Sequence, residues 1–311
     1  MRKLILLSTF IFLIFSGLYS AFNDANYGLR SSGMGSAFTA VADDVSALIY
    51  NPAGVSFSRR QLGFMYYQPF LGLENVNFSY SQVGLILPVS RRLTLAGGYL
   101  NYNASDMYQE GQTIFTAGFK LKKNLSFGLN YKYLEHRYIV ADDIRTEISA
   151  AGEDIFDKSL ASGSPALDFG IFLPGEKLNF GLLVKNLNTK DVGLKYEDKI
   201  AQEYRLGLAY KIGDVGKFLE DILIASDFSW RNTDWGTAND KLNLALGAEC
   251  WLSYHRFAFR AGADLSSISF GLGFGQFWSE NSSLTIDYSF VLPVAINCGL
   301  GNHKIATTLR F

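Results

Sequence analysis

Charge is scarce in this sequence. Asp, Glu, Lys and Arg make up 18% of its 311 residues, below the roughly 25% of soluble domains. Basic and acidic residues nearly cancel, 28 against 29, and no basic block or acidic tail is present. The balance gives no electrostatic reason to expect a nucleic-acid partner. Low charge with 48% hydrophobic residues excludes a disordered chain. Proline occurs only six times, and cysteine only as Cys250 and Cys298, too few for a disulfide framework or a zinc site. Beyond the N-terminus no run of about 18 apolar residues occurs, which excludes a bundle of membrane-spanning helices. His136, His255 and His303 lie far apart without metal-ligand spacing, and no Gly-x-Ser-x-Gly elbow occurs. No enzymatic activity, metal or cofactor is expected.

What is abundant is aromatic and glycine residues: 25 Phe, 17 Tyr, 4 Trp and 30 Gly. The first residues read as an export signal. Arg2 and Lys3 precede an apolar core at residues 4–15, and small or polar residues at 17–21 suit cleavage after Ser20 or Ala21. The mature chain therefore leaves the cytoplasm, and the absence of a cysteine after the core argues against a lipoprotein. The expected organisation is a signal peptide at 1–21, a compact segment at 22–60 and a β-domain at 61–311.

From residue 61 onward, apolar residues alternate with small or polar ones in segments of about ten. Leu125, Phe127, Leu129, Tyr131 and Tyr133 share one strand face, with Ser126, Gly128, Asn130 and Lys132 on the other. The same period recurs in Ile268, Phe270, Leu272 and Phe274, and in the terminal Ile305, Thr307, Leu309 and Phe311. A soluble sandwich also alternates. Two features favour a transmembrane barrel: Gly-, Ala- and Ser-rich polar faces that suit a crowded lumen, and aromatics toward the ends of the apolar faces. About fourteen segments are counted, giving an all-β, antiparallel outer-membrane barrel with outer-membrane lipid around it.

Short connections near 88–91, 122–124, 174–177 and 253–254 interleave with longer ones near 104–111, 138–164, 188–200, 232–239 and 293–302, as periplasmic turns and external loops should. The connections at 212–220 and 265–266 fit that rhythm poorly. Cys250 falls near the periplasmic end and Cys298 in the last external loop. A hydrocarbon band about 25 Å tall would separate them, so two free thiols are expected. The terminal Phe311 resembles the signal read by the barrel assembly machinery.

Residues 22–60 do not alternate. They carry Gly33-Met34-Gly35, then Ala42-Asp43-Asp44-Val45-Ser46-Ala47, then Tyr50-Asn51-Pro52-Ala53-Gly54. Small residues there permit close backbone approach, as in a plug inside a lumen. Asp43 or Asp44 suits the cap of a short helix at 45–50. A dinucleotide loop is excluded, because Phe38 stands where a third glycine is needed. Across Gly28 to Gly54 this pattern resembles the N-terminal region of the FadL-like outer-membrane proteins, and is most similar to the PorV/PorQ-type branch. The resemblance implies a fourteen-stranded barrel with an N-terminal hatch in its lumen. The function expected from it is passive uptake of a hydrophobic or amphipathic small molecule, and the alternative is an accessory barrel with secretion or surface proteins as partners.

The candidate site residues follow from both readings. Gly33, Gly35, Asp43, Asp44, Tyr50, Asn51, Pro52, Ala53 and Gly54 form the hatch motif, as a gate or simply as the turns that fold it. Strand phase points Glu249, Arg256 and Arg260 into the lumen, where they either steer an anionic headgroup or neutralise one another. Gly97 and Gly98 mark either a kink in the wall or relief for the hatch.

Overall fold

The computed structural model describes residues 22, 27–69, 77–105, 107–140, 160–188, 191–194, 198–215, 218–232, 241–279, 282–294 and 301–311. The expected signal peptide at 1–21 and Cys298 lie outside them. Cys250 is a free thiol.

Period-two alternation is realised as fourteen strands among the described residues: β1 (Gln61–Gln68), β2 (Phe78–Pro88), β3 (Leu93–Ala104), β4 (Tyr108–Lys122), β5 (Leu125–Tyr138), β6 (Ala161–Leu173), β7 (Leu178–Lys185), β8 (Gln202–Val215), β9 (Leu219–Asn232), β10 (Leu242–Leu252), β11 (Phe257–Asp264), β12 (Ser267–Phe277), β13 (Ser283–Pro293) and β14 (Asn302–Arg310). Each pairs antiparallel with the next. β1 closes on β14 from Gln61↔Arg310 to Gln68↔His303, making a closed barrel. No described helix is long and apolar enough to cross a membrane.

Large apolar side chains cover the outside of this wall. Phe115, Leu246, Phe270 and Ile305 are each at least half exposed, and similar residues recur on every strand. Apolar cover on that scale far exceeds the few hundred Å² that soluble monomers tolerate, so it faces lipid.

The connections at 212–220 and 104–111 are shorter than the sequence suggested. β8 and β9 run on to Val215 and from Leu219, through register shifts on either side of Gly213, whose φ is +83°. Such bulges insert residues and so break the alternation that would reveal them. β4 likewise begins at Tyr108, which pairs with both Ala104 and Tyr138. The tight 265–266 connection has a local cause. The Asp264 carboxylate accepts hydrogen bonds from the backbone N–H groups of Ser266 and Ser267 and from both hydroxyls, at 2.6–3.1 Å, closing a side-chain turn.

Ahead of β1 the chain forms α1 (Leu29–Gly33), α2 (Ala47–Tyr50) and a 3-10 helix at Pro52–Phe57. Almost every residue from Tyr27 to Ser58 is buried. From β1 to β8, and again from β10 to β12, every strand turns a glycine toward this segment. A segment touched from all these sides of a closed ring lies inside it. Register aligns these glycines across neighbouring strands, as in Gly63↔Gly84↔Gly98 and Gly118↔Gly128↔Gly170. The result is a belt without side chains, against which backbone can lie.

Candidate functional site in the barrel lumen

An irregular buried segment has backbone polar groups that no ladder satisfies, and leaving them unpaired is costly. The inner wall answers them. Asn130 donates to the Leu48 carbonyl at 2.8 Å, Ser126 to that of Ala53 at 2.8 Å, and Asn179 to that of Ala40 at 3.2 Å. The Asp227 carboxylate accepts from Phe38 N–H, Thr39 N–H and the Thr39 hydroxyl at 3.0, 2.9 and 2.6 Å. The polar phase of the strands is therefore specific to this segment.

Charged groups add further buried networks. Arg30, in α1, sends Nε and a terminal nitrogen to Glu249 at 2.7 and 2.5 Å and pairs with Asp43. Arg260 sends Nε to Glu249 at 2.5 Å and a terminal nitrogen to Asp287 at 2.7 Å. Glu249 and Arg260 stand directly opposite in register. Arg256 does not join them. It sits in the exposed turn before β11, where Ser253, Tyr254 and His255 all have φ between +56° and +62°. Those left-handed residues make the tight turn between β10 and β11, so Arg256 stands exposed at the rim of the barrel, outside the cluster. Arg30 and Asp287 complete the cluster in its place. Asp44 lies 3.7 Å from Arg30 and accepts from Ser46 N–H at 2.7 Å. Burial raises its carboxyl above the usual range, against the pull of Arg30.

The second network centres on Arg205. It pairs with Glu203 at 2.6 Å and lies 4.8 Å over the Tyr50 ring, which also packs edge-on against Phe38. Arg231 reaches Glu203 at 3.3 Å.

The motif residues are mainly structural hinges between these networks. Asn51 accepts from Ala53 N–H at 3.1 Å, while its amide nitrogen donates to the carbonyls of Thr39 and Ile171, both at 3.0 Å. One side chain thus ties the 3-10 helix, the preceding loop and β6. A Cβ on Gly54 would stand 2.1 Å from the Ala42 carbonyl oxygen, and one on Gly35, whose φ is +62°, 2.5 Å from Ala263 N. Gly33 lies against Gly271, Asp43 lines a recess at the barrel end where β1 begins and β14 ends, and Pro52 and Ala53 press on Gly128. Gly98 relieves Leu48, whereas Gly97 meets nothing closer than 3.4 Å, and both stay in register with β2 and β4. The ladder is unbroken at this pair. Asn51→Ala is expected to weaken docking of the segment by about 1–3 kcal/mol, read as faster amide hydrogen exchange across residues 36–58 with the barrel strands unchanged.

Two cavities flank the segment. One lies beside Arg30, Asp44 and Asp287 and is little more than a crevice, and one lies beside Asp43, Arg59 and Arg310. Charged groups line both. Above the segment, toward the external end, an aromatic row crosses the inner wall. Tyr67, Tyr80 and Tyr102 stack at 4.7 and 4.4 Å, with Tyr27 and Tyr108 edge-on to the stack. Phe22 N–H donates to Glu110 at 3.0 Å, and its side chain clusters with Leu134, Ala166, Val192 and Ile200. Val192 and Ile200 belong to the loop after β7, which therefore turns into the barrel mouth.

Residues 45–308 match the family model described as type IX secretion system membrane protein PorP/SprF. No curated protein matches the sequence. Among solved structures, the chain is similar to the CymD monoaromatic hydrocarbon channel, at 14% identity and TM-score 0.62, covering 94% of this chain and 99% of that one. It is also similar to the toluene transporter TbuX of Ralstonia pickettii, at 13% identity and TM-score 0.60, covering 94% and 100%. A FadL homologue of Pseudomonas aeruginosa gives 13%, 0.61, 95% and 99%. At these identities the likeness establishes the fold, a FadL-like outer-membrane barrel.

Proposed function

The chain belongs to the PorP/SprF family of type IX secretion system membrane proteins, and from that premise we propose that it is a closed outer-membrane barrel of that route, acting through protein partners. Residues 1–21 serve as its leader and residues 22–60 as a hatch that stays in place. One observation carries this reading: the segment inside the ring is held by backbone-to-wall hydrogen bonds and a four-way buried ion cluster, with no side chain interposed at the glycine belt. Opening a solute path there would strip Arg30 from Glu249 and Phe38 and Thr39 from Asp227. Breaking one buried ion pair alone costs about 3–5 kcal/mol. A barrel built this way offers its rims and loops rather than its bore.

The second reading is passive uptake of a hydrophobic or amphipathic small molecule. The aromatic row at Tyr67, Tyr80 and Tyr102 favours it, as does the fold shared with hydrocarbon channels. One pair of measurements separates the two. Purified protein in liposomes should give no acceleration of toluene or fatty-acid entry over empty liposomes, and cells lacking the gene should lose type IX cargo from the surface. Accelerated entry with intact cargo secretion would overturn the secretion reading and establish uptake.

A further inference from the structure

The short turns of the barrel are not alike in charge. With those turns on the periplasmic side, the arc running from β14 through β1 to β5 carries Arg59 and Arg60 before β1, Arg91 and Arg92 between β2 and β3, and Lys122 and Lys123 between β4 and β5. All six are exposed. Among the described residues lining the recess at this side, Asp43 is the acidic one, and it is paired with Arg30. On the opposite turns acidic side chains are held by neighbouring polar groups. His255 contacts Glu220 at 3.2 Å and Asp221 at 2.7 Å, and Glu220 also accepts from the backbone of the same turn.

One end of the basic arc, at Arg59, lines a recess that Arg310 also lines. Register shows where that recess opens. Arg310 pairs with Gln61 and Ser283, both buried on the inner face of the wall. Phe57 of the 3-10 helix and Phe277 of β12 line the same recess. It therefore lies inside the ring at the periplasmic mouth, where bilayer headgroups around the outer wall do not reach.

We propose that this arc and recess form a docking surface for an extended acidic segment, bearing an aromatic side chain, of a soluble periplasmic protein. Carboxylates would meet the three basic pairs, and the aromatic group would enter between Phe57 and Phe277. Like charges so close to one another raise the local potential and steer an oppositely charged chain. They do so within about 10 Å at 0.1 M salt. This inference goes beyond the secretion reading and stands without it.

The test uses the full-length barrel in nanodiscs of zwitterionic lipid and a fluorescent twelve-residue peptide rich in glutamate with two phenylalanines. Binding read by anisotropy should weaken at least tenfold between 50 and 300 mM salt. A lysine-for-glutamate peptide should not bind. The variant Arg59→Glu/Arg60→Glu/Arg91→Glu/Arg92→Glu should lose at least tenfold in affinity, while Arg256→Glu on the opposite turns stays within twofold. These substitutions lie in exposed turns. Heat-modifiable gel migration checks assembly, and the salt and peptide-charge comparisons on the unaltered protein decide the matter if the variant fails to assemble. Equal losses in both variants would mean diffuse attraction and overturn the proposal. So would displacement of the peptide by phosphatidylglycerol, with native mass spectrometry showing that lipid retained through the same arginines.

Discussion

A barrel carrying valine in place of both Gly128 and Gly262 is expected to assemble but lose its closed lumen. At Gly128 a Cβ would stand 2.2 Å from the backbone of Pro52 and Ala53. At Gly262 it would stand 2.2 Å from that of Met34 and Gly35. Neither obstacle is the end of a flexible side chain, so rotation cannot relieve the clash. Overpacking of this kind costs about 1–3 kcal/mol per site and occasionally more. The two sites press on different parts of the segment and share no contact, so their effects should roughly add. A combined cost of about 2–6 kcal/mol shifts docking by roughly thirtyfold to ten-thousandfold. The strands themselves keep their ladder, because both positions sit in continuous register. Limited proteolysis should therefore cut within residues 27–58, and planar-bilayer recordings should show stable ion conductance absent from the unaltered protein. Gly97→Ala is the matched control, since its Cβ would meet nothing closer than 3.4 Å. A double variant that stays protease-resistant and non-conducting would show that the belt does not hold the segment.

Why the belt matters also explains what the sequence made legible. Strand phase could be read because lipid on one side and a crowded interior on the other enforce strict alternation. It placed Glu249 and Arg260 on the inner face and identified glycine as an inner-face residue. It could not align Gly118 with Gly128 and Gly170, because register between strands depends on turns and bulges as well as on period. Phase also could not tell how far Arg256 stands from Glu249: the tight turn at 253–255 leaves it exposed at the rim. Arg30 was missed for a different reason. It lies in the one region without periodicity, so no phase could point it anywhere. A signal was nonetheless present: among described residues from Tyr27 to Ser58 it is the only basic one, and a lone cation in an apolar, small-residue segment must find a buried partner. The inward-facing carboxylates of the strands are its natural partners.

That pairing sets the second large effect. Glu249→Ala is expected to destabilise the protein by about 3–5 kcal/mol, because it leaves two buried guanidinium groups short of their shared carboxylate. Arg30 retains Asp43 and Asp44, and Arg260 retains Asp287, which places the loss toward the lower part of that range. Arg30→Met separates the two roles of the cluster. It removes the link to the segment but leaves the wall chain from Glu249 through Arg260 to Asp287 intact. It should therefore accelerate hydrogen exchange over residues 28–44 with little change in denaturant unfolding of the barrel. Glu249→Ala should change both. Arg256→Ala, on the exposed turn, should stay within about 0.5 kcal/mol of the unaltered protein. If Glu249→Ala unfolds at the same denaturant concentration as Arg256→Ala, the cluster contributes nothing to holding the lumen shut, and the case for a permanently closed barrel falls back on the glycine belt alone.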